Sequence, residues 1–401
     1  MRIFFSQPEF DTQLLRAISY THSGGAEIGE CLTTAARIKD GDFDSWYEEW
    51  MHTGDRIYKE GETSAAGRHF ISARDCYLRA SNYYRAAYFY LFGAPVNPKL
   101  LEAYERHEDS FNKAVKLFET PVQVVQIPYE GTFLPGYFYK FDNSLTPSPT
   151  IITGTGYDGT QQESYFSTVY GALKRRYNVL TFDGPGQGKV LLKQQLYMRP
   201  DWEKVITPVV DFLLKRPEVD PSRISLVGQS WGGMLASRAA AYEHRLSALV
   251  VNPGQFDAMD GIRRFFPHVE EHLSKNDHKV LDEVLCQVLN DRMMSKKFQA
   301  KMWVHGVPTA VDLLKEWQSY KLEGIAQNIL CSTLVCDSES EPLSSGQAKR
   351  LFDALQCPKQ YLLFKNSEGA GEHCAAGALS LCEQRLFDWL DNQRVLQVAN
   401  V

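Results

Sequence analysis

The stretch Ile224-Ser-Leu-Val-Gly228-Gln-Ser230-Trp-Gly232-Gly-Met-Leu-Ala-Ser-Arg-Ala-Ala-Ala decides the fold. A β-branched apolar run enters it and an alanine-rich run leaves it, so a strand turns sharply into a helix with Gly-x-Ser-x-Gly at the bend. Such a bend forces its middle residue into a strained backbone conformation. Glycines two positions before and after allow strand and helix to pack closely. The Ser230 hydroxyl then stands at a helix N-terminus, where backbone donors and the helix dipole favour developing negative charge. That is the placement of a nucleophile, and the alternative is a structural turn serine.

Working outward, residues 121 onward carry short β-type runs separated mostly by helical segments. Val122–Ile127 and Phe133–Lys140 read as a hairpin. Thr150–Thr153, Asn178–Phe182, Ile224–Val227, Leu246–Val251, Ser332–Val335 and Gln360–Phe364 follow as short apolar strands. This alternation predicts a mostly parallel sheet wrapped by helices. With the elbow, it predicts an α/β-hydrolase fold: eight strands, the first pair antiparallel. Residues 1–118 read as an N-terminal helical domain, including a helix opening at Asp42 and another over Ser72–Leu91, and 119–401 as the catalytic domain. About 256–328 reads as a helical insertion, with helices over His278–Asn290 and Ala310–Tyr320, of the kind that forms a lid.

An activated serine needs a base, and the base needs an orienting carboxylate. In this fold the chain order is nucleophile, acid, histidine. His373 is the only histidine after the last strand, in the glycine-bearing loop Asn366-Ser-Glu-Gly-Ala-Gly-Glu-His373-Cys. It is the expected base. The acid belongs just past the seventh strand, where Asp337, Glu339 and Glu341 compete. The position before the next helix favours Glu341, then Asp337, then Glu339.

Gly154-Thr-Gly156-Tyr157-Asp-Gly159 follows the third strand, and the loop there supplies one oxyanion donor in this fold. The Trp231 N–H and the backbone at Gly156 or Tyr157 are the expected pair. The same glycines spell G-x-G-x-x-G, with Asp183 downstream, which admits a dinucleotide-binding reading. That reading leaves the elbow and His373 unexplained. Trp46, Trp50, Tyr83, Tyr84 and Trp303 suit either a pocket for a flat substrate or plain helical packing. His268, His272 and His305 lie in the insertion without catalytic context, though His305 is placed to face a pocket.

Composition excludes several classes. A net charge of −6 and an isoelectric point near 6.0 argue against nucleic-acid binding. No apolar run approaches the roughly 18 residues of a membrane span, and the first residues carry no secretory stretch, so a soluble cytoplasmic protein is expected. The eight cysteines fit no zinc spacing, and a chain of 401 residues needs no disulfide framework. Reduced, mostly buried thiols are expected, with no metal and no cofactor.

Gly156-Tyr-Asp-Gly-Thr, Phe182-Asp-Gly-Pro-Gly-Gln-Gly, Arg199-Pro-Asp-Trp-Glu203, Gly228-Gln-Ser-Trp-Gly-Gly and Glu372-His-Cys stand with Ser72-Ala-Arg and Ala80-Ser-Asn-Tyr-Tyr-Arg85 in the helical part. Together they resemble the fungal yellowish-green conidial-pigment hydrolases. The likeness extends more distantly to bacterial dihydroxypseudooxynicotine hydrolase and the fermentation–respiration switch proteins, and runs from about residue 40 to 390. The resemblance implies a helical domain packed over the sheet. It agrees with Ser230 and His373, and it places the family's aspartate on Glu341. It further implies retro-Claisen-type cleavage of a carbon–carbon bond beside a carbonyl in an aromatic polyketide or related secondary metabolite, as in pigment biosynthesis. A carboxylesterase or thioesterase, or a non-hydrolytic cyclase of a polyketide–peptide pathway, is the alternative. The expected partner is a small aromatic or polyketide-derived molecule, and a homodimer is compatible with the chain.

Overall fold

Alternation along the strands sorts their side chains onto two faces, because successive residues point to opposite sides of a sheet. Ile152, Leu180, Leu226 and Val251 join one buried cluster, while Ile151, Val179, Val227 and Val250 join the other. Both faces are apolar, so both must be covered, as in parallel sheets generally. A computed structural model describes residues 1–275, 277–342 and 344–399. In it the strands β1 (Val122–Tyr129), β2 (Thr132–Tyr139), β3 (Ser148–Gly154), β4 (Asn178–Phe182), β5 (Val219–Gln229), β6 (Ala248–Asn252), β7 (Ser332–Ser338) and β8 (Lys359–Phe364) form one sheet. Its order is β1-β2-β4-β3-β5-β6-β7-β8. β1 and β2 pair antiparallel, β2 meets β4 antiparallel, and the remaining pairs are parallel. The fold is the α/β-hydrolase fold expected from the elbow.

Five helices precede the sheet: α1 (Pro8–Ser19), α2 (Ile28–Ala35), α3 (Phe43–Ala66), α4 (Phe70–Ala87) and α5 (Pro98–Val115). Asp42 caps α3 by accepting from the Asp44 and Ser45 N–H groups. The helix expected to reach Leu91 ends at Ala87, and Phe89–Leu91 form a separate turn.

Of the two readings left open for Trp46, Trp50, Tyr83 and Tyr84, pocket or packing, the structure shows packing. Trp46, Trp50, Tyr83 and Tyr84 are fully buried among the N-terminal helices. Trp46 Nε1 donates to the Ala86 carbonyl at 2.8 Å and Trp50 lies 5.5 Å from Tyr83. The Tyr83 and Tyr84 hydroxyls donate to Glu30 and Asp55, each at 2.7 Å. Rings one turn apart on α3 and adjacent on α4 face the helix–helix seam. Helical spacing alone does not distinguish that seam from a pocket wall.

Along the chain, α6 (Tyr170–Lys174), α7 (Glu203–Leu213) and α8 (Gly232–Ala240) cover the sheet. The insertion between β6 and β7 folds as α9 (Asp260–Phe265), α10 (Val269–Ser274), α11 (His278–Leu289), α12 (Arg292–His305) and α13 (Ala310–Trp317). Finally, α14 (Gln347–Ala354) separates β7 from β8, and α15 (Leu379–Ala399) closes the second face. All eight cysteines are free. Four are buried, and Cys286 is exposed, so the thiols are less uniformly buried than expected. Among the described residues no helix is long and apolar enough to cross a membrane.

Candidate active site

The elbow is built by sterics. A Cβ at position 228 would stand 2.2 Å from the Gly232 carbonyl oxygen, and one at position 232 would stand 2.7 Å from that of Thr155. Only glycines let β5, α8 and the loop after β3 meet this closely. Ser230 itself sits at φ 56°, left-handed for a non-glycine residue. Its N–H donates to the Asn252 carbonyl at the end of β6, at 2.8 Å.

Three side chains expected from the sequence meet here. The Ser230 hydroxyl lies 2.9 Å from His373 Nε2, and His373 Nδ1 lies 2.7 Å from Glu341 Oε2. A carboxylate can only accept, so Nδ1 carries the proton and Nε2 is left to receive the serine proton. Burial alone would push the His373 imidazole down. The neighbouring Cys374 sulfur and the Glu341 carboxylate outweigh it, holding the imidazole well above the ordinary histidine value. The following residue, Cys374, is also left-handed at φ 57°, and its thiol donates to the same Asn252 carbonyl at 3.2 Å. One carbonyl therefore ties the base loop to the elbow.

The competing carboxylates are engaged elsewhere. Asp337 accepts from the Tyr361 hydroxyl at 2.7 Å and from the Ser338 N–H at 2.8 Å. Glu339 accepts from the Asn366 N–H at 2.6 Å. Only Glu341 of the three contacts the imidazole.

Gly156 faces both the nucleophile and the helix start. A Cβ there would lie 2.8 Å from Trp231 N and 3.1 Å from Ser230 Oγ. Only a glycine at 156 leaves the approach to the Trp231 N–H and the Ser230 hydroxyl uncrowded. The loop is held from behind by Gln187, which is fully buried and donates to the Thr155 and Gly156 carbonyls at 2.7 and 3.1 Å. Nothing in the pattern Asp183-Gly-Pro-Gly-Gln187-Gly marks this brace. Tyr157 stacks on Trp231 with centroids 4.9 Å apart. Its hydroxyl lies 3.0 Å from His305 Nε2 and accepts from Trp317 Nε1 at 3.1 Å. Burial pushes the His305 imidazole down to about 3, so it is neutral and accepts from Tyr157. His305 is thus behind the cavity wall rather than facing the cavity.

Asp183, which a dinucleotide-binding site would turn toward a ribose, is buried and accepts from the Gln161 and Lys189 N–H groups at 2.8 and 2.9 Å. Gly156 of the glycine loop packs against the elbow at Ser230 and Trp231. Among the described residues no cluster of three or more His, Cys, Asp or Glu side chains could hold a metal ion.

A cavity of about 420 Å³ opens over Ser230 and His373, a size suited to a small organic molecule. Its aromatic lining is Tyr20, Phe89, Tyr90, Phe92 and Tyr157, with residues of α1 and α12 completing the walls. Trp303 stands behind Phe92, centroids 5.2 Å apart, and does not line it. Arg16, from α1, holds Glu163 at 2.7 and 2.8 Å and Asp158 at 3.1 Å. Arg85, from α4, lies 3.2 Å from Glu163 and 3.7 Å from Asp158. This ionic cluster, buried at Arg85 and Glu163 and part-exposed at Arg16 and Asp158, ties the helical region to the loop after β3. No sequence signal pointed to it.

The chain matches the model described as the alpha/beta hydrolase family over residues 151–371, and that of esterase FrsA-like proteins over 22–256. It is 35% identical to "Hydrolase LUC6" of Fusarium sp, with 98% of each chain covered. It is 33% identical to "20-hydroxy-prefusarin hydrolase FUS2" of Gibberella moniliformis, again over 98% of each. The solved 2,6-dihydroxy-pseudo-oxynicotine hydrolase superposes with a TM-score of 0.75 at 21% identity, covering 93% of this chain and 94% of that one, and shares the fold.

Proposed function

The chain belongs to the α/β-hydrolase family and is an enzyme, and from that premise we propose that it cleaves a carbon–carbon bond beside a carbonyl in an aromatic polyketide or related secondary metabolite, through an acyl-serine. The observation that carries the reading is the Ser230–His373–Glu341 relay at the floor of an aromatic-lined cavity, beside the Trp231 N–H. A relative named for 20-hydroxy-prefusarin supports the substrate class.

In this reading His373 takes the Ser230 proton as Oγ adds to the carbonyl carbon. The tetrahedral oxyanion forms against the N–H of Trp231 and that of Gly156 or Tyr157. Collapse breaks the bond to the neighbouring carbon. The electron pair moves into the carbonyl adjoining that carbon as an enolate, which for an acyl-phenol cleaved as its dearomatised keto tautomer is a phenolate, and the imidazolium protonates it. Water, deprotonated by His373, then releases the acid. The leaving group must stabilise a carbanion, so the substrate is a 1,3-diketone or an acyl-phenol. A second reading, ester or thioester hydrolysis by the same acyl-enzyme, is favoured by the match to esterase FrsA-like proteins.

Intact-mass analysis after fluorophosphonate treatment tests the nucleophile: one adduct on the wild type and none on Ser230→Ala is expected. Adducts on both, or on neither while both are folded, would sink the acyl-serine. Turnover of an acyl-phenol in heavy-oxygen water then tests the reaction. Label in the acid product indicates hydrolysis. A cyclised product without label refutes it.

A further inference from the structure

Helix α12 turns one face to the cavity through Met293, Lys296, Lys297, Ala300, Lys301 and Val304, an i, i+3, i+4, i+7, i+8, i+11 series. Three ammonium groups therefore border a mostly apolar cavity whose other charged lining residues are Glu9, Arg16, Asp158, Glu163 and Glu372. They are not equivalent. Lys297 is paired with Glu9 of α1 at 2.5 Å. Among the described residues no carboxylate lies within ion-pair distance of Lys296 or Lys301.

Lys301 is placed for recognition. Its Nζ lies 5.2 Å from the Trp317 ring and 5.8 Å from the Tyr157 ring, and Tyr157 itself stacks on Trp231 beside the nucleophile. The carboxylates that act on it from neighbouring elements, Glu9 and Asp158, are already engaged by Lys297 and by Arg16 and Arg85. Burial pushes its ammonium down to about 8, with Lys297 adding to the shift and the two carboxylates opposing it. An ammonium that is partly desolvated, held over aromatic faces and left without a counter-ion is completed by an anion arriving from the cavity.

We propose that Lys301, assisted by Lys296, is an anion subsite that binds a planar oxyanion of the substrate: an ionised enol, phenol or carboxylate on a flat ring system. The proposal rests on the preceding section only in taking this cavity as the substrate site. There it adds a specificity determinant, since the oxygen that receives the electron pair of the broken carbon–carbon bond is such an oxyanion.

Calorimetric titration of the full chain with 2-naphthoate and its neutral isostere 2-naphthamide tests it without turnover. Wild type is expected to prefer the anion by roughly 10- to 100-fold, the range of a charge-assisted contact removed from water. Lys301→Met should abolish that preference and Lys301→Arg should largely restore it. Equal affinities in the wild type, or an undiminished preference in Lys301→Met, would overturn the proposal. Titration with the enolate of indane-1,3-dione distinguishes the sources: tighter binding than naphthoate assigns an enolised dicarbonyl, weaker binding a carboxylate. Fluorophosphonate labelling of Ser230 in the same preparations keeps the two ideas separable. Loss of labelling speaks against the hydrolase reading, loss of charge preference against the subsite.

Discussion

Glu341→Gln is the substitution that most sharply tests the relay. The side chain is 1% exposed and accepts from His373 Nδ1 at 2.7 Å, so the change keeps volume while removing the only carboxylate on the imidazole. Two effects add. Loss of a hydrogen bond to a charged acceptor is worth roughly 1.5–3 kcal/mol, or about 10- to 150-fold. A glutamine amide can also donate to Nδ1, which would leave the proton on Nε2 facing Ser230 and remove the base. Wrong-tautomer losses of this kind reach about 10⁴-fold in kcat. A fall in kcat of roughly 10²- to 10⁴-fold is expected, with the chain still folded. The pH profile carries a second signature. Catalysis needs neutral imidazole, and His373 is held above 6.5, so the acid limb of kcat/KM lies above that value. Removing the Glu341 charge lowers the imidazole and moves the limb to lower pH. Steady-state kinetics on an aryl ester across pH, beside Asp337→Asn and Glu339→Gln, decides the matter. A Glu341→Gln enzyme within about threefold of wild type, with Asp337→Asn crippled, would refute the reasoning.

Gln187→Leu removes two donors from the Thr155 and Gly156 carbonyls, so kcat should fall roughly 10- to 100-fold with KM less affected. An unchanged kcat in steady-state assays would show that the loop holds its shape without this brace. Glu163→Gln leaves Arg16 and Arg85 without their most buried counter-charge and should cost about 3–5 kcal/mol by denaturant unfolding. Burial would raise the Glu163 pKa, but Arg16 and Arg85 hold it below 4.5. Its contribution is therefore present above the unfolded carboxylate value and lost as pH falls through the lower folded one. The wild type should lose this stability in acid while the variant shows a shallower acid slope.

Legibility in the sequence followed the range of the interactions. The elbow was readable because its glycines, serine and flanking strand and helix lie within a few residues and have one steric solution. Glu341 was favoured by counting strands and asking which carboxylate stands before the next helix, and it is the one at the imidazole. The aromatic lining was not readable. Trp46 and Trp50 recur at helical spacing, which says that a face is buried but not against what, whereas Phe89, Tyr90 and Phe92 line the cavity from an irregular stretch after α4. The ionic cluster was invisible because Arg16 meets Glu163 across 147 positions, and nothing local marks either residue.

What these long-range contacts do is hold the loop after β3 from three directions. Gln187 secures the carbonyls of Thr155 and Gly156 from the sheet side. His305 and Trp317 of the insertion hold the Tyr157 hydroxyl. Arg16 and Arg85 of the helical region hold Asp158, and through Glu163 the residues beyond it. An oxyanion donor stabilises a transition state only if its dipole is already aimed, because reorienting it during the reaction would return much of the gain. A loop with glycines at 154, 156 and 159 has little stiffness of its own. Its stiffness has to come from the elements around it. On the proposed mechanism the helical region and the insertion would therefore act in catalysis beyond shaping the cavity: weakening either contact set should lower kcat even where the cavity walls are untouched.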